Sequence, residues 1–220
     1  MPYTVFLFDF DGTIADTFEQ TVVIWNHLSR TFRFKKIEPE DIPFLKDSNS
    51  KDIIRYLKVP ALLIPLIVSK GKKEMNKVIN DMEPIQGLKE ILLKIKSEGY
   101  EIGIFSSNSK KNVMEFLNRH DLDIFNFIYT SAKIWKKNKG LKRFMKTNNY
   151  DASEILYVGD EIRDVQAAQK AGVHVAAVSW GFNSGSSLKK YNPDYLLQTP
   201  HDLIHVCQIN HPEYSSPIKS

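Results

Sequence analysis

Six short runs rich in β-branched and aromatic residues recur along this chain: YTVFLF, EIGIF, IFNFIYT, EILYVG, VHVAAVSW and DYLLQ. Stretches with helical spacing, such as GLKEILLKIKSEGY and DVQAAQKAG, separate most of them. Short continuous apolar runs that alternate with helices predict strands of a parallel sheet covered on both faces. The fold class expected is α/β, a doubly wound, Rossmann-like parallel sheet. In such sheets ligands bind beyond the carboxyl ends of the strands, so polar residues that close a strand carry the functional reading.

One region breaks the alternation. Residues 16–84 are helical in pattern, through EQTVVIWNHLSRTF, SKDIIRYLK and LLIPLIVSKGKKEMNKVINDM, and hold no convincing strand. A helical segment inserted after the first strand reads as a separate cap domain on a core of residues 1–15 and 85–207. The length of 220 residues leaves room for such an insertion. EPIQG reads as the return linker, because Pro84 and Gly87 bracket a helix start. A polar tail, 208–220, follows. Hydrophobic residues at 42% and charged ones at 25% support a real core. The single cysteine, Cys207, excludes an intramolecular disulfide and fits a reducing compartment. MPYTVFLFDF lacks a basic leader region, and VPALLIPLIV is too short and too proline-rich to span a bilayer. A cytoplasmic protein with no membrane partner is expected.

Three of the expected strands close on polar side chains. The first ends at Asp9, with Asp11, Gly12 and Thr13 following. EIGIF leads into Ser106, Ser107 and Asn108, and EILYVG into Asp160, Glu161 and Asp164. Carboxylates as close as Asp9 and Asp11 repel, so the pair needs a cation, a shared proton or separation. If the strands are neighbours, these groups form a hard, oxygen-rich site suited to Mg²⁺ and a phosphate oxygen. Gly12 allows a sharp turn. The net charge of +4 suits an anionic ligand but is too small to argue for nucleic acid.

DFDGT, SSN, a lysine before ILYVGD, and GDEIRD, in that order, resemble the motifs of the haloacid dehalogenase superfamily. With helices between the first two motifs, the arrangement is similar to the phosphoglycolate phosphatase-like branch, which carries a helical C1 cap. The resemblance implies a Mg²⁺-dependent phosphatase acting on a small phosphorylated metabolite through an aspartyl-phosphate. It makes Asp9 the nucleophile and Asp11 the acid that protonates the leaving oxygen and then the base that activates water. Mg²⁺ would be held by Asp9, Asp160 and the backbone carbonyl of Asp11, with Asp164 and Glu161 behind them. Ser106 would donate to the phosphoryl group, joined by Ser107, Asn108, Gly12 and Thr13. The charge-stabilising lysine is one of Lys133, Lys136, Lys137 and Lys139; Lys137 is preferred because Leu141 then becomes the first buried residue of the next helix.

The stretch FLKDSNSKD, residues 44–52, reads as a polar interruption where caps of this family send a loop over the site. Lys46, ahead of Lys51, is the residue expected to face the far end of an anionic substrate. A dehalogenase is disfavoured, since such relatives lack the second aspartate; a sugar phosphomutase stays as an alternative. A nucleic-acid-binding module built on KIWKKNKGLKRFMK is a second one, weakened by the absence of any groove-reading motif. His201 and His205 have the i, i+4 spacing of metal ligands but no third partner, and read as a surface helix. Trp180 reads as packing a loop. Oligomeric state is left open.

Overall fold

The computed structural model describes residues 3–130 and 137–210. Its strands are β1 Val5–Phe8, β2 Glu101–Ser106, β3 Phe127–Thr130, β4 Ile155–Gly159, β5 His174–Val178 and β6 Tyr195–Leu197. Each of the apolar runs holds one of them. All pair in parallel, in the order β3-β2-β1-β4-β5-β6. The chain therefore has the expected α/β fold.

Between β1 and β2 the chain is helical. It runs through α1 Phe18–Phe32, α2 Ile42–Lys46, α3 Ser50–Tyr56 and α4 Ile64–Val78, with single 3-10 turns at Pro39–Asp41, Ala61–Leu63 and Ile79–Asp81. Ile24, Leu28, Leu45, Leu57 and Ile67 form an apolar cluster of their own. Pro65 sits in the first turn of α4, where a missing N–H is harmless. The two ends of the segment are tied together: the Asp16 amide donates to the Glu83 carbonyl (2.9 Å) and the Ile85 amide to the Ile14 carbonyl (2.8 Å).

The polar interruption expected over 44–52 is shorter than its sequence suggests. α2 reaches Lys46 and α3 begins at Ser50, leaving only residues 47–49 between them. Leu45 is drawn into the apolar cluster, and the Asn49 side chain starts α3 by accepting from the amides of Lys51 (3.0 Å) and Asp52 (3.1 Å).

Successive strand residues face opposite sides of the sheet, and each side has its own core. Phe6, Phe8, Ile104 and Val158 pack with residues of α5 Leu88–Ser97, α6 Lys110–Arg119 and the C-terminal helix. Val5, Leu7, Ile155 and Tyr157 pack with α7 Lys137–Asn148, α8 Ile162–Ala171 and α9 Gly185–Lys189. Burial on both sides is why these strands read as continuous apolar runs. The last helix, α10 Asp202–Asn210, extends past the expected core boundary at 207. Residues 211–220 of the expected tail, with Lys133 and Lys136, lie outside the described residues. Among the described residues no helix is long and apolar enough to cross a membrane.

The strand order reverses between β1 and β4, which creates a crevice at their carboxyl ends. Asp9 follows β1 directly and its amide donates to the Val158 carbonyl of β4 (2.8 Å). Asp160 follows β4. The topology thus sets these two carboxylates side by side.

Candidate active site

Asp9 is buried, and both its oxygens are engaged. Oδ1 accepts from the Phe10 amide (2.8 Å) and Oδ2 from Lys137 Nζ (2.8 Å). Lys137 also donates to Asp164 Oδ1 (2.5 Å), so one ammonium bridges the first motif and α8. Asp164 in turn accepts the Glu161 amide through Oδ2 (3.1 Å), a side-chain cap at the start of α8. Asp160 accepts from the Thr13 hydroxyl (2.7 Å) and the Phe182 amide (2.7 Å). Gly12 has φ +76°, and a Cβ there would lie 2.3 Å from Asp160 Oδ2. Only glycine allows that turn so close to the carboxylate.

Asp11 points elsewhere. Its carboxylate accepts from Asn108 Nδ2, at 3.2 Å to each oxygen. The Ser106 hydroxyl oxygen accepts the Asn108 amide (3.0 Å), and among the described residues its own proton has no acceptor. Asp11, Ser107 and Asn108 line a cavity whose wall continues onto α1, α3 and α4.

These groups shift one another's protonation. Burial pushes Asp9 up, opposed by the charge of Lys137. Asp11 is pushed up to about 7, first by burial and then by the charge of Asp9, against the hydrogen bond from Asn108. Asp160 is raised well above the usual carboxylate range by burial and by Glu161, Asp164 and Asp9. Glu161 is raised by burial and held back by its ion pair with Arg163. Burial pulls Lys137 down, but Asp164 and Asp9 outweigh it and its pKa is raised. Carboxylates outnumber cations here, and one oxygen each of Asp9, Asp160 and Asp164 lies within 4.8 Å of the others. Mutually repelling, buried oxygen donors of this kind fit a hard divalent cation.

Most of the expected residues thus meet at one place: Asp9, Asp11, Gly12, Ser106, Asn108, Lys137, Asp160, Glu161 and Asp164. Thr13, expected to bind phosphate, has its side chain on the Asp160 side of the turn. Its hydroxyl is buried against Asp160, so it positions that carboxylate. Lys46 donates to the Gly181 carbonyl (3.1 Å) and lies over the Phe18 ring, whereas Lys51 lines the cavity. Lys139 is exposed. Trp180 donates through Nε1 to the Thr13 carbonyl (3.2 Å), pinning the turn after β1. His201 and His205 have rings 5.9 Å apart and belong to no group of three potential ligands among the described residues.

Three residues of the site escaped the sequence reading. Arg163 pairs with Glu161 and lines the cavity; its Nε is buried with no hydrogen-bond partner among the described residues. Lys72 of α4 donates to the Ser107 carbonyl (2.9 Å), joining the helical segment to the strand ends. Asn183 accepts the Ile162 amide (2.9 Å) and donates to the carbonyls of Lys46 (2.9 Å) and Ser48 (3.0 Å). Its position in the loop after β5, at the carboxyl edge of the sheet, is the signal that could have found it.

A family model described as haloacid dehalogenase-like hydrolase matches residues 6–178. The chain is 31% identical over 199 residues to the phosphoglycolate phosphatase of Synechococcus elongatus, covering 90% of this chain and 94% of that protein. It is 27% identical over 215 residues to the pyrophosphatase PpaX of Bacillus thuringiensis, covering 93% and 96%. Among solved structures, a haloacid dehalogenase-like family hydrolase from Streptococcus pneumoniae superposes with a TM-score of 0.77 at 18% identity, covering 92% of this chain and 97% of that one. At that identity the likeness is one of fold.

Proposed function

The chain belongs to the haloacid dehalogenase-like hydrolase family, and from that premise we propose that it is a Mg²⁺-dependent phosphatase that cleaves a phosphomonoester through an aspartyl-phosphate on Asp9. The observation that carries this reading is the division between two neighbouring carboxylates. Asp9 is clamped by Lys137 and the Phe10 amide, while Asp11 is turned to Asn108 and pushed up to about 7.

That division suits a two-step reaction. Asp9 attacks phosphorus as the bond to the leaving oxygen breaks, and Asp11 gives its proton to that oxygen. Asp11, now a carboxylate, takes a proton from water, which attacks the same phosphorus and frees Asp9. Lys137 holds Asp9 in place and offsets part of its charge. Among the described residues the Ser106 O–H has no acceptor and the Arg163 Nε–H no partner, and the Ser106 O–H is a donor for a phosphoryl oxygen.

Asp9 and Asp160, with the Asp11 backbone carbonyl, would hold Mg²⁺, and Asp164 and Glu161 would fix the surrounding hydrogen bonds. When bound, the cation would offset the repulsion between nucleophile and phosphate, about 1 kcal/mol at 4 Å in water and more in a dry site. Residues 1–15 and 85–207 act as the catalytic core and 16–84 as its cap. The location proposed is cytoplasmic, and the partner a small phosphorylated metabolite. Phosphoglycolate and pyrophosphate, from the names of the relatives, head the panel to be assayed.

Phosphate release from that panel, with Mg²⁺ and with excess chelator, tests the proposal. Asp9→Asn is expected to lower kcat by about a thousandfold or more, since an amide is a poor nucleophile. Full activity in chelator, or a variant free of wild type that keeps about a tenth of kcat, would overturn it.

A further inference from the structure

A cavity of about 530 Å³ adjoins Asp11, with Ser107, Asn108, Arg163 and Lys72 at the same end. Its remaining wall is mostly apolar, with Trp25 of α1, Ile53 and Ile54 of α3, and Ile67, Val68 and Met75 of α4, though Ser48, Asn49, Lys51 and Gln166 also line it. We propose that the substrate is an amphipathic phosphomonoester whose apolar body, an alkyl chain or a ring system, lies in this cavity. The inference rests on the phosphatase reading, because it identifies what is bonded to the oxygen that Asp11 protonates.

Position, size and sequence support it independently. The cavity meets Asp11, the acid, while Asp9 stays buried behind, so the cavity is on the leaving-group side of the reaction. Its volume falls in the range of sites for drug-sized ligands, roughly 300–1,000 Å³. A two-carbon acid phosphate or a pyrophosphate would leave most of it empty. Apolar surface held in an open cleft gains free energy when an apolar group covers it. The cations at the polar end are already committed in part: Lys72 to the Ser107 carbonyl and Arg163 to Glu161.

Gly71 adds a further observation. It lies inside α4 and lines the cavity, and a Cβ there would meet only Leu28 Cδ1, at an ordinary 3.6 Å. Packing between α1 and α4 therefore does not require glycine, and a glycine inside a helix weakens it. The missing side chain keeps the cavity open.

The test is kcat/KM for phosphoglycolate, pyrophosphate and a series of n-alkyl phosphates from methyl to octyl, assayed with Mg²⁺. Leaving-group acidity is nearly constant along the alkyl series, so the chemistry is held fixed and only burial varies. The expected rise is roughly fourfold per methylene until the cavity is full, with long-chain esters ahead of phosphoglycolate. Gly71→Leu should reduce the hexyl-to-methyl ratio by roughly tenfold or more, without lowering the thermal midpoint, and Gly71→Ala should reduce it less. A flat series with phosphoglycolate preferred, or a hexyl-to-methyl ratio untouched by Gly71→Leu, would overturn the inference while leaving the phosphatase reading intact. No turnover of any ester would overturn both.

Discussion

At the residue scale, the chemistry turns on where one proton is held. Asp11 sits near neutrality at about 7 because burial and the charge of Asp9 resist its ionisation. It can therefore give a proton to a leaving oxygen and afterwards take one from water. Asp11→Asn keeps the shape but carries no transferable proton. For alkyl phosphates, whose leaving group needs protonation, kcat should fall by roughly 10²–10⁴-fold. For an aryl phosphate with an acidic phenol the loss should be much smaller. Equal losses on the two esters would remove Asp11 from the acid role. Asp9, Asp11 and Asp160 were legible in the sequence because each sits just beyond an apolar run, where the sheet must end. Lys137 was legible through register: Leu141, four residues on, is fully buried as that choice requires. Arg163 and Lys72 were not. One lies within GDEIRD at a position without an expected role, and the other among several lysines of α4. Only the docking of α4 against the strand ends singles out Lys72, and no local pattern encodes that docking. The contact of Lys46 with the Gly181 carbonyl is likewise long-range, and no local pattern encodes it.

At the scale of elements, the strands were the most legible part, because burial on both faces gives runs with no polar interruption. The helical segment was legible as helix but not in its joints. Those joints depend on side chains that satisfy backbone groups, as Asn49 does for α3. Another joint lies between α1 and α3. Asp41 accepts from Lys35 Nζ (2.8 Å), from the Tyr56 hydroxyl, and from the Glu38 amide (3.0 Å). Chiefly through Lys35, then Tyr56 and Glu38, these bonds lower the Asp41 pKa from its ordinary 3.8 to about 2. A carboxyl depressed in the folded state adds stability that is fully present above its unfolded value. That stability is lost as the pH falls through the folded one. Asp41→Asn should therefore lower the urea midpoint by a constant amount from pH 7 down to about 4. Below that the gap to wild type should narrow, closing toward pH 2. A gap that stayed constant down to pH 3 would mean that shape, not charge, holds this joint.

At the scale of the molecule, function requires that the helical segment stay registered on the strand ends, since Asp11 and the cavity wall come from opposite sides of that seam. Among the contacts that hold it, two sets lie nearest the strand ends. Lys72 reaches the Ser107 carbonyl from α4, and the loop after β5 grips the end of α2. Asn183 is the centre of the second set. It is 5% exposed and joins the amide that opens α8 to the carbonyls of Lys46 and Ser48. The same grip includes the Ser184 amide (2.9 Å) and Ser187 hydroxyl (3.1 Å), both on the Lys46 carbonyl. Asn183→Ala leaves the Ser48 carbonyl and the Ile162 amide without the partner described here, while Lys46 keeps its other two donors. A buried polar group left unpaired costs about 1–3 kcal/mol. For a chain of this length each kcal/mol lowers the thermal midpoint by roughly 2–4 °C. If the grip also sets the register of the cavity wall over Asp11, kcat/KM should fall as well, at a temperature where the variant is still folded. The fall should be greater for a bulky apolar ester than for methyl phosphate, because only the bulky one touches that wall. A lowered midpoint with equal losses on both esters would make Asn183 a support for α8 alone, and would shift the holding of the seam to Lys72.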